Sequence, residues 1–406
     1  MDAITHQAIE VSARRSYSQL LAFLASRAEG DVAGAEDALS EAFAAALQQW
    51  PSQGVPDKPE AWLLQTARRR LIDSQRRTQR HAHHMDALTH ALVAAQAAVD
   101  SGHDFPDERL KLLFVCAHPA IDPSARTPLM LQTVLGLEAE RIAPAFLTSP
   151  ATMSQRLVRA KAKIRAAGIP FAVPESSEWP ERLSFVLDAI YAAFTTGWED
   201  TLGTAAGTRD LAEEAIWLAR VLVHLLPEEP EALGLLALLL HCHARRAARL
   251  TAGRYVPLPE QDPALWDHAL MTQAETVLTL AARRQSPGRF QLEAAIQSVH
   301  AQRAHTGETN WPAIARLYEA LIRQTPALGA RLGHVVALAK SHGAAAGLDA
   351  LDDLPTGPLQ THQPYWATRA WLLRELGETA EARAAYTRAI GLTEDAAVRA
   401  FLNAQM

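Results

Sequence analysis

GLEAERIAPAFLTSPATMSQRLVRAKAKIRAAG, residues 136–168, decides how the first part of the chain is read. Leu137, Ile142 and Phe146 mark one helix, and Leu147-Thr148 a tight turn. Ser149 is a natural N-cap, with Pro150 at the first helical position. In the helix that follows, Met153, Leu157, Ala160 and Ile164 recur at steps of three and four and face inward. Thr152, Gln155, Arg156, Arg159 and Lys163 face out on the other side. Thr, Gln and Arg at a helix N-terminus can hydrogen-bond base edges in a major groove, while Arg159, Lys161, Lys163 and Arg165 reach phosphates. The competing reading is a basic surface helix in a bundle. Pro144, inside the first helix, removes a backbone hydrogen bond and predicts a kink.

A second basic helix lies upstream in Glu60–Arg80, WLLQTARRRLIDSQRRTQR from Trp62. Arg69, Asp73, Arg76, Arg77 and Arg80 share one face, and Ala61, Leu64, Ala67 and Leu71 the opposite, apolar one. Asp73 is placed to pair with Arg69 and Arg77. A solvated charged face is the plain alternative, but the arginine surplus favours phosphate binding. Before this helix come an apolar helix opening with Leu20, Leu21, Phe23 and Leu24, and one that Asp31 caps. The latter carries Ala35, Leu39, Phe43, Ala46 and Leu47 at helical spacing. Turn formers fill Pro51–Pro59.

The remainder is also helical. Ala and Leu dominate, and only 6% of the residues are aromatic. Residues 1–80 and 105–170 are expected as two small domains joined by a His/Ala-rich linker, 81–104. IPFAVPESSEW, from Ile169, is an extended boundary, and 180–406 a long helical extension broken by Pro/Gly turns. Gly307, Gly343 and Gly377 recur at the period of tetratricopeptide helix pairs, and Ala382, Tyr386 and Ala389 sit at that repeat's small-aromatic-small offsets. Trp217, Trp266, Trp311, Trp366 and Trp371 read as packing between helices.

Net charge is −6, distributed as about +1 over residues 1–170 and about −7 over 171–406. The basic stripes thus stand out locally, and the acidic second half is a poor DNA ligand. Two distant cysteines, Cys116 and Cys242, form no disulfide framework. The opening MDAITHQAIE has no basic-then-apolar signal, and Ala232–Cys242 is shorter than the about 20 residues that span a bilayer. A cytoplasmic protein without membrane contact is expected. His241 and His243, two apart on a helix, point away from each other. His81, His83 and His84 lie in the linker with few carboxylates around them. Cys116 and His118 come closer to ligand spacing but have no second pair, so no metal is expected. No Gly-rich phosphate loop, GxSxG elbow or HExxH helix is present, so neither a catalytic site nor a cofactor is expected.

AEDALSEAFAAALQQW, PEAWLLQTARRRLIDSQRR and the helix-turn-helix resemble regions 2 and 4 of extracytoplasmic-function sigma factors. The ordered series FPDERLKLLFVCAHPAIDPSAR, ATMSQRLVRAKAKIRAAGIPF, PEALGLLALLL and WPAIARLYEAL resembles a subgroup with a tetratricopeptide-like C-terminal extension. The resemblance implies an all-α fold and two partners, core RNA polymerase and promoter DNA. It implies docking on polymerase through Glu36, Asp37, Ser40, Glu41 and Phe43. The loop Gln53–Lys58 and the helix with Arg68, Arg69, Arg70, Asp73, Arg76 and Arg77 would melt the −10 element. Thr152, Gln155, Arg156, Arg159 and Lys163 would read the −35 element. Ser40 stands where a glutamine is common, and Thr195-Thr196-Gly197-Trp198 where the subgroup has Asn-Glu-Gly-Tyr. The extension is expected to pack on the first two domains or to hold a protein in its groove. A stand-alone helix-turn-helix regulator and a helical scaffold without DNA binding are the alternatives, and the docking helix around Asp37 separates them from a sigma factor.

Overall fold

A computed structural model describes residues 16–28, 30–78, 108–146, 148–175, 177–199, 208–251, 253–354 and 357–406. Calls on the linker 81–104, on Arg80 and on His81, His83 and His84 lie outside them. The fold is all-α, and its one sheet among the described residues is a two-stranded hairpin. Two compact units divide between Ala192 and Ala193.

The first unit opens with α1 (residues 16–27), whose Leu20, Leu21, Phe23 and Leu24 are fully buried. Asp31 caps α2 (Val32–Gln53) by accepting from the Gly34 amide. This helix runs through Pro51 to Gln53, three residues into the expected loop, and Gly54 ends it at φ +86°. Its Leu47 was counted with the apolar stripe, yet it is 44% exposed. Ala42, Ala46 and Trp50 fill the inward face, and position 47 turns outward. Then α3 (Pro59–Thr78) packs on α2 through Ala61, Leu64, Ala67 and Leu71, all buried, with Trp50 edge-on to Trp62 at 5.4 Å.

Helices α4 (Arg109–Cys116) and α5 (Pro123–Leu135) pack together, with buried Cys116 Sγ 3.4 Å from Thr133 Oγ1. Burial pushes the Cys116 thiol up to about 12, so it is an inert core group. The expected kink is present. α6 (Ala139–Ile142) stops, and a 3₁₀ turn, Ala143–Phe146, carries Pro144. α7 (Pro150–Ala166) follows, and α8 (Trp179–Glu199) begins by packing Trp179 on Phe114 and Phe185 under the Arg126 guanidinium.

The second unit is built around α10 (Pro230–Ala244), apolar on nearly every side and buried from Ala232 to His241. It packs against α9 (Thr208–Leu225), α11 (His268–Ala282) and α12 (Arg289–Ala301). Glu231 caps α12 from outside, its carboxylate accepting from the Phe290 and Gln291 amides. The hairpin pairs β1 (Leu250–Thr251) with β2 (Arg254–Tyr255). After the short α13 (Arg303–Thr306), α14 (Trp311–Gln324) packs on α15 (Leu328–His342), and α15 on α16 (Ala344–Asp352). α17 (Gln363–Glu375) packs on α18 (Thr379–Gly391). The spaced glycines Gly307, Gly343 and Gly377 all have positive φ at helix ends, a backbone that other residues rarely adopt. Ala382, Tyr386 and Ala389 are buried with Ala370 and Leu373, as their offsets suggested. The last helix, α19 (Ala396–Ala404), returns to the hairpin, with Phe401 edge-on to Tyr255 at 5.7 Å. Of the five tryptophans read as packing, Trp266 is buried, Trp311, Trp366 and Trp371 are half-buried against core clusters, and Trp217 is half-buried.

Candidate nucleic acid interface

Three helices of the first unit hold the residues that the sequence singled out. On α7 the Ser149 hydroxyl accepts from the Thr152 amide at 3.2 Å, and Met153, Leu157, Ala160 and Ile164 seat the helix in the core. That anchoring fixes the rotation of α7. Thr152, Gln155, Arg159 and Lys163 are exposed, and Arg156 is half-buried, donating to the Ser124 carbonyl at 3.4 Å. All five line one open concavity of about 500 Å³, whose far wall is Ile121, Asp122 and Ser124 at the start of α5. The Asp122 carboxyl lies below the usual range because it accepts from Ser124, and Arg156 and Arg126 add a smaller pull. The site is cationic with a single acidic edge.

On α3, Arg69 and Arg70 are exposed and Arg68 is half-buried. Arg70 makes an exposed ion pair with Glu41 of α2 at 3.4 Å. The backbone stays helical through Asp73, Arg76 and Arg77, whose side chains lie outside the described set. The pairing expected for Asp73 falls there.

On α2, Asp37, Ser40 and Glu41 are exposed along one edge, continued by Leu47. Phe43 is half-buried, with its ring 6.4 Å from Tyr17. Glu36 lies at the other edge. It is largely covered and paired with Lys161 of α7. Lys161 and Arg165, grouped in the sequence with Arg159 and Lys163, here pair with Glu36 and Asp31, Lys161 largely covered and Arg165 exposed. They are four residues apart on the edge of α7 that faces α2. Leu47 and these cross-helix pairs were missed by the sequence reading. A Leu one step beyond a filled stripe was the available signal for Leu47, and none existed for the pairs.

In the second unit, the departure at Trp198 has a packing role. Its ring stacks on Phe194 at 5.6 Å and takes the Arg249 guanidinium on its face at 4.1 Å. Arg249 also donates to the Trp198 carbonyl. His241, next to no free space, is held neutral by burial. Among the described residues no group of three metal-ligating side chains occurs, and no helix is long and apolar enough to cross a membrane.

Comparison with known proteins agrees with this layout. Residues 14–81 match the model for sigma-70 region 2, and residues 182–282 match a family of unknown function, DUF6596. An uncharacterized protein of Rhizobium meliloti is 39% identical over 378 residues, 92% of this chain and 89% of its own length. A probable ECF RNA polymerase sigma factor, SigI of Mycobacterium tuberculosis, is 27% identical over 194 residues, 47% of this chain and 64% of its own length. No solved structure matches. A region 2 match over α1–α3, a capped cationic helix after it and a helical extension that relatives share converge, and the chain belongs to the extracytoplasmic-function sigma factors that carry a C-terminal extension.

Proposed function

We propose that the chain selects promoters for RNA polymerase by gripping DNA at two places while the exposed edge of α2 docks on core enzyme. Asp37, Ser40 and Glu41 meet a basic surface of the polymerase, with Glu36 and Phe43 beside them. Loop 53–58 and α3, with Arg68, Arg69, Arg70, Asp73, Arg76 and Arg77, melt the −10 element, their cations holding the backbone of the opened strand. Thr152, Gln155 and Arg156 read base edges of the −35 element, with Arg159 and Lys163 on flanking phosphates. The observation that carries this reading is the single concavity shared by all five α7 residues.

Chemistry stays with the polymerase; this chain supplies binding energy and register. The extension acts in cis, controlling how far the two promoter-reading regions are exposed. The exposed carboxylates of α2 favour a sigma factor over a stand-alone regulator, which has no use for a docking edge.

Run-off transcription with core polymerase on the gene's own upstream region tests the proposal. Specific transcripts are expected with the wild-type chain. Asp37→Lys combined with Glu41→Lys should abolish both co-purification with core and transcription. A doubly reversed variant that still binds core would remove α2 from the docking role.

A further inference from the structure

Arg126, in α5, is 7% exposed, and its two hydrogen bonds go to neutral carbonyls. Nε donates to the Ile121 carbonyl at 3.0 Å and Nη2 to the Pro119 carbonyl at 3.3 Å. The guanidinium carbon lies 4.2 Å from the centre of the Phe185 ring, on α8. A buried cation needs compensation, and a ring face supplies part of it where water is excluded. Neighbouring Leu183, Val186 and Leu187 are buried and Trp179 packs on Phe114, so this end of α8 is seated in the first unit. The carbonyls that Arg126 holds belong to the turn before α5. Asp122, directly after Ile121, caps α5 by accepting from the Ser124 amide at 2.8 Å and the Ser124 hydroxyl at 2.6 Å. The Ser124 carbonyl in turn accepts from Arg156 at 3.4 Å. Phe185 lies within residues 182–282, the stretch that matches the family of unknown function.

We infer that Phe185 is a positioning residue for −35 recognition: through Arg126 it fixes the turn 119–124, whose Ser124 carbonyl aims Arg156 at a base edge. The inference rests on the role proposed for α7. A base contact discriminates only when its donor is held still, so the support behind Arg156 matters as much as Arg156 itself. Without the ring, water reaches that face of the guanidinium. Arg126 can then turn toward the exposed Asp122 carboxylate, which already feels its charge. The two carbonyls are released, and the far wall of the concavity shifts against α7. Arg159 and Lys163 stand on α7 itself and keep their phosphate contacts. The loss is therefore one of sequence discrimination, with general DNA affinity kept. By this account a residue of the extension completes the −35 reader.

Holoenzyme reconstituted from the full chain and core polymerase tests this, on the promoter that run-off transcription defines. The readout is its affinity for that promoter divided by its affinity for the same duplex with the −35 bases replaced. Phe185→Leu keeps the apolar bulk and removes the ring face. It should lower the ratio about fivefold or more, with core binding and affinity for the altered duplex retained. Phe185→Tyr keeps the ring and should keep the ratio. In an Arg156→Ala background Phe185→Leu should change the ratio little further, because both act on one contact. A wild-type ratio in Phe185→Leu overturns the inference, as does full additivity with Arg156→Ala. An equal loss in Phe185→Tyr and Phe185→Leu overturns it too, since the ring would not be what counts. Should Phe185→Leu fold poorly, Arg126→Lys reads the same ratio, because an ammonium cannot hold two carbonyls and a ring face at once. A wild-type holoenzyme that does not tell the two duplexes apart would instead sink the role proposed for α7, and this inference with it.

Discussion

His241 shows how burial overrides a neighbour. Glu275 Oε1 lies 3.4 Å from its Nε2, an arrangement that would favour the charged ring. Yet Glu275 is half-exposed and already accepts from the Ser298 hydroxyl at 2.6 Å, while His241 is 1% exposed. Burial, with a smaller push from Arg245, lowers the ring to about 3. The unfolded chain therefore binds a proton below the ordinary pKa of about 6.5 that the native chain refuses, and stability falls as pH drops through that value toward 3. Thermal melts at about pH 7 and about pH 5 should show this loss, and His241→Asn should show a smaller one. An equal loss in both proteins would mean that His241 is not the group responsible. Sequence could say only that His241 and His243 point apart. Which of them is sealed in depends on α11, a helix distant in the chain.

Local rules were most readable in the elements themselves. Ser149 and Asp31 cap where the sequence placed them, because a cap needs only a side chain and an amide two or three residues on. The Pro144 break has the same short reach. For α7 as a DNA ligand, affinity should fall steeply with salt. Arg159→Ala and Lys163→Ala should each flatten that log–log slope by about 1. Titrations at several salt concentrations measure it, and an unchanged slope would remove the residue from the phosphate contacts. Packing between elements was less readable. At Gly234, α10 approaches α12 so closely that a Cβ would stand 2.7 Å from the Gln291 amide nitrogen. Gly234→Ala should destabilise the extension by about 1–3 kcal/mol, read in denaturant melts. No loss would show that the two helices can separate at little cost.

At the scale of the whole molecule, cis control by the extension can be tested by truncation. The start of α8 belongs to the first unit, where Trp179 covers Phe114 and Phe185 covers Arg126. Ending the chain after Glu199 keeps those contacts. Promoter-dependent transcription by that truncation should differ at least severalfold from the full chain, and equal activity would dismiss control in cis. The described residues of 169–178 are non-helical, as their prolines suggested, while the two compact units divide farther on, inside α8. Prolines mark where a helix stops, but not which neighbour the next helix chooses.

The amino-acid sequence by itself determined the all-α class, the caps, most of the periodic apolar faces and the spacing of the extension's glycines. These depend on neighbours within one or two helical turns. Tertiary structure alone decided that Lys161 faces Glu36 rather than open solvent, that Leu47 stands outside the core, and that Arg249 covers Trp198. Such pairings depend on the rotation and crossing of whole helices, set by every packed side chain between them, and no periodicity along a single helix encodes that.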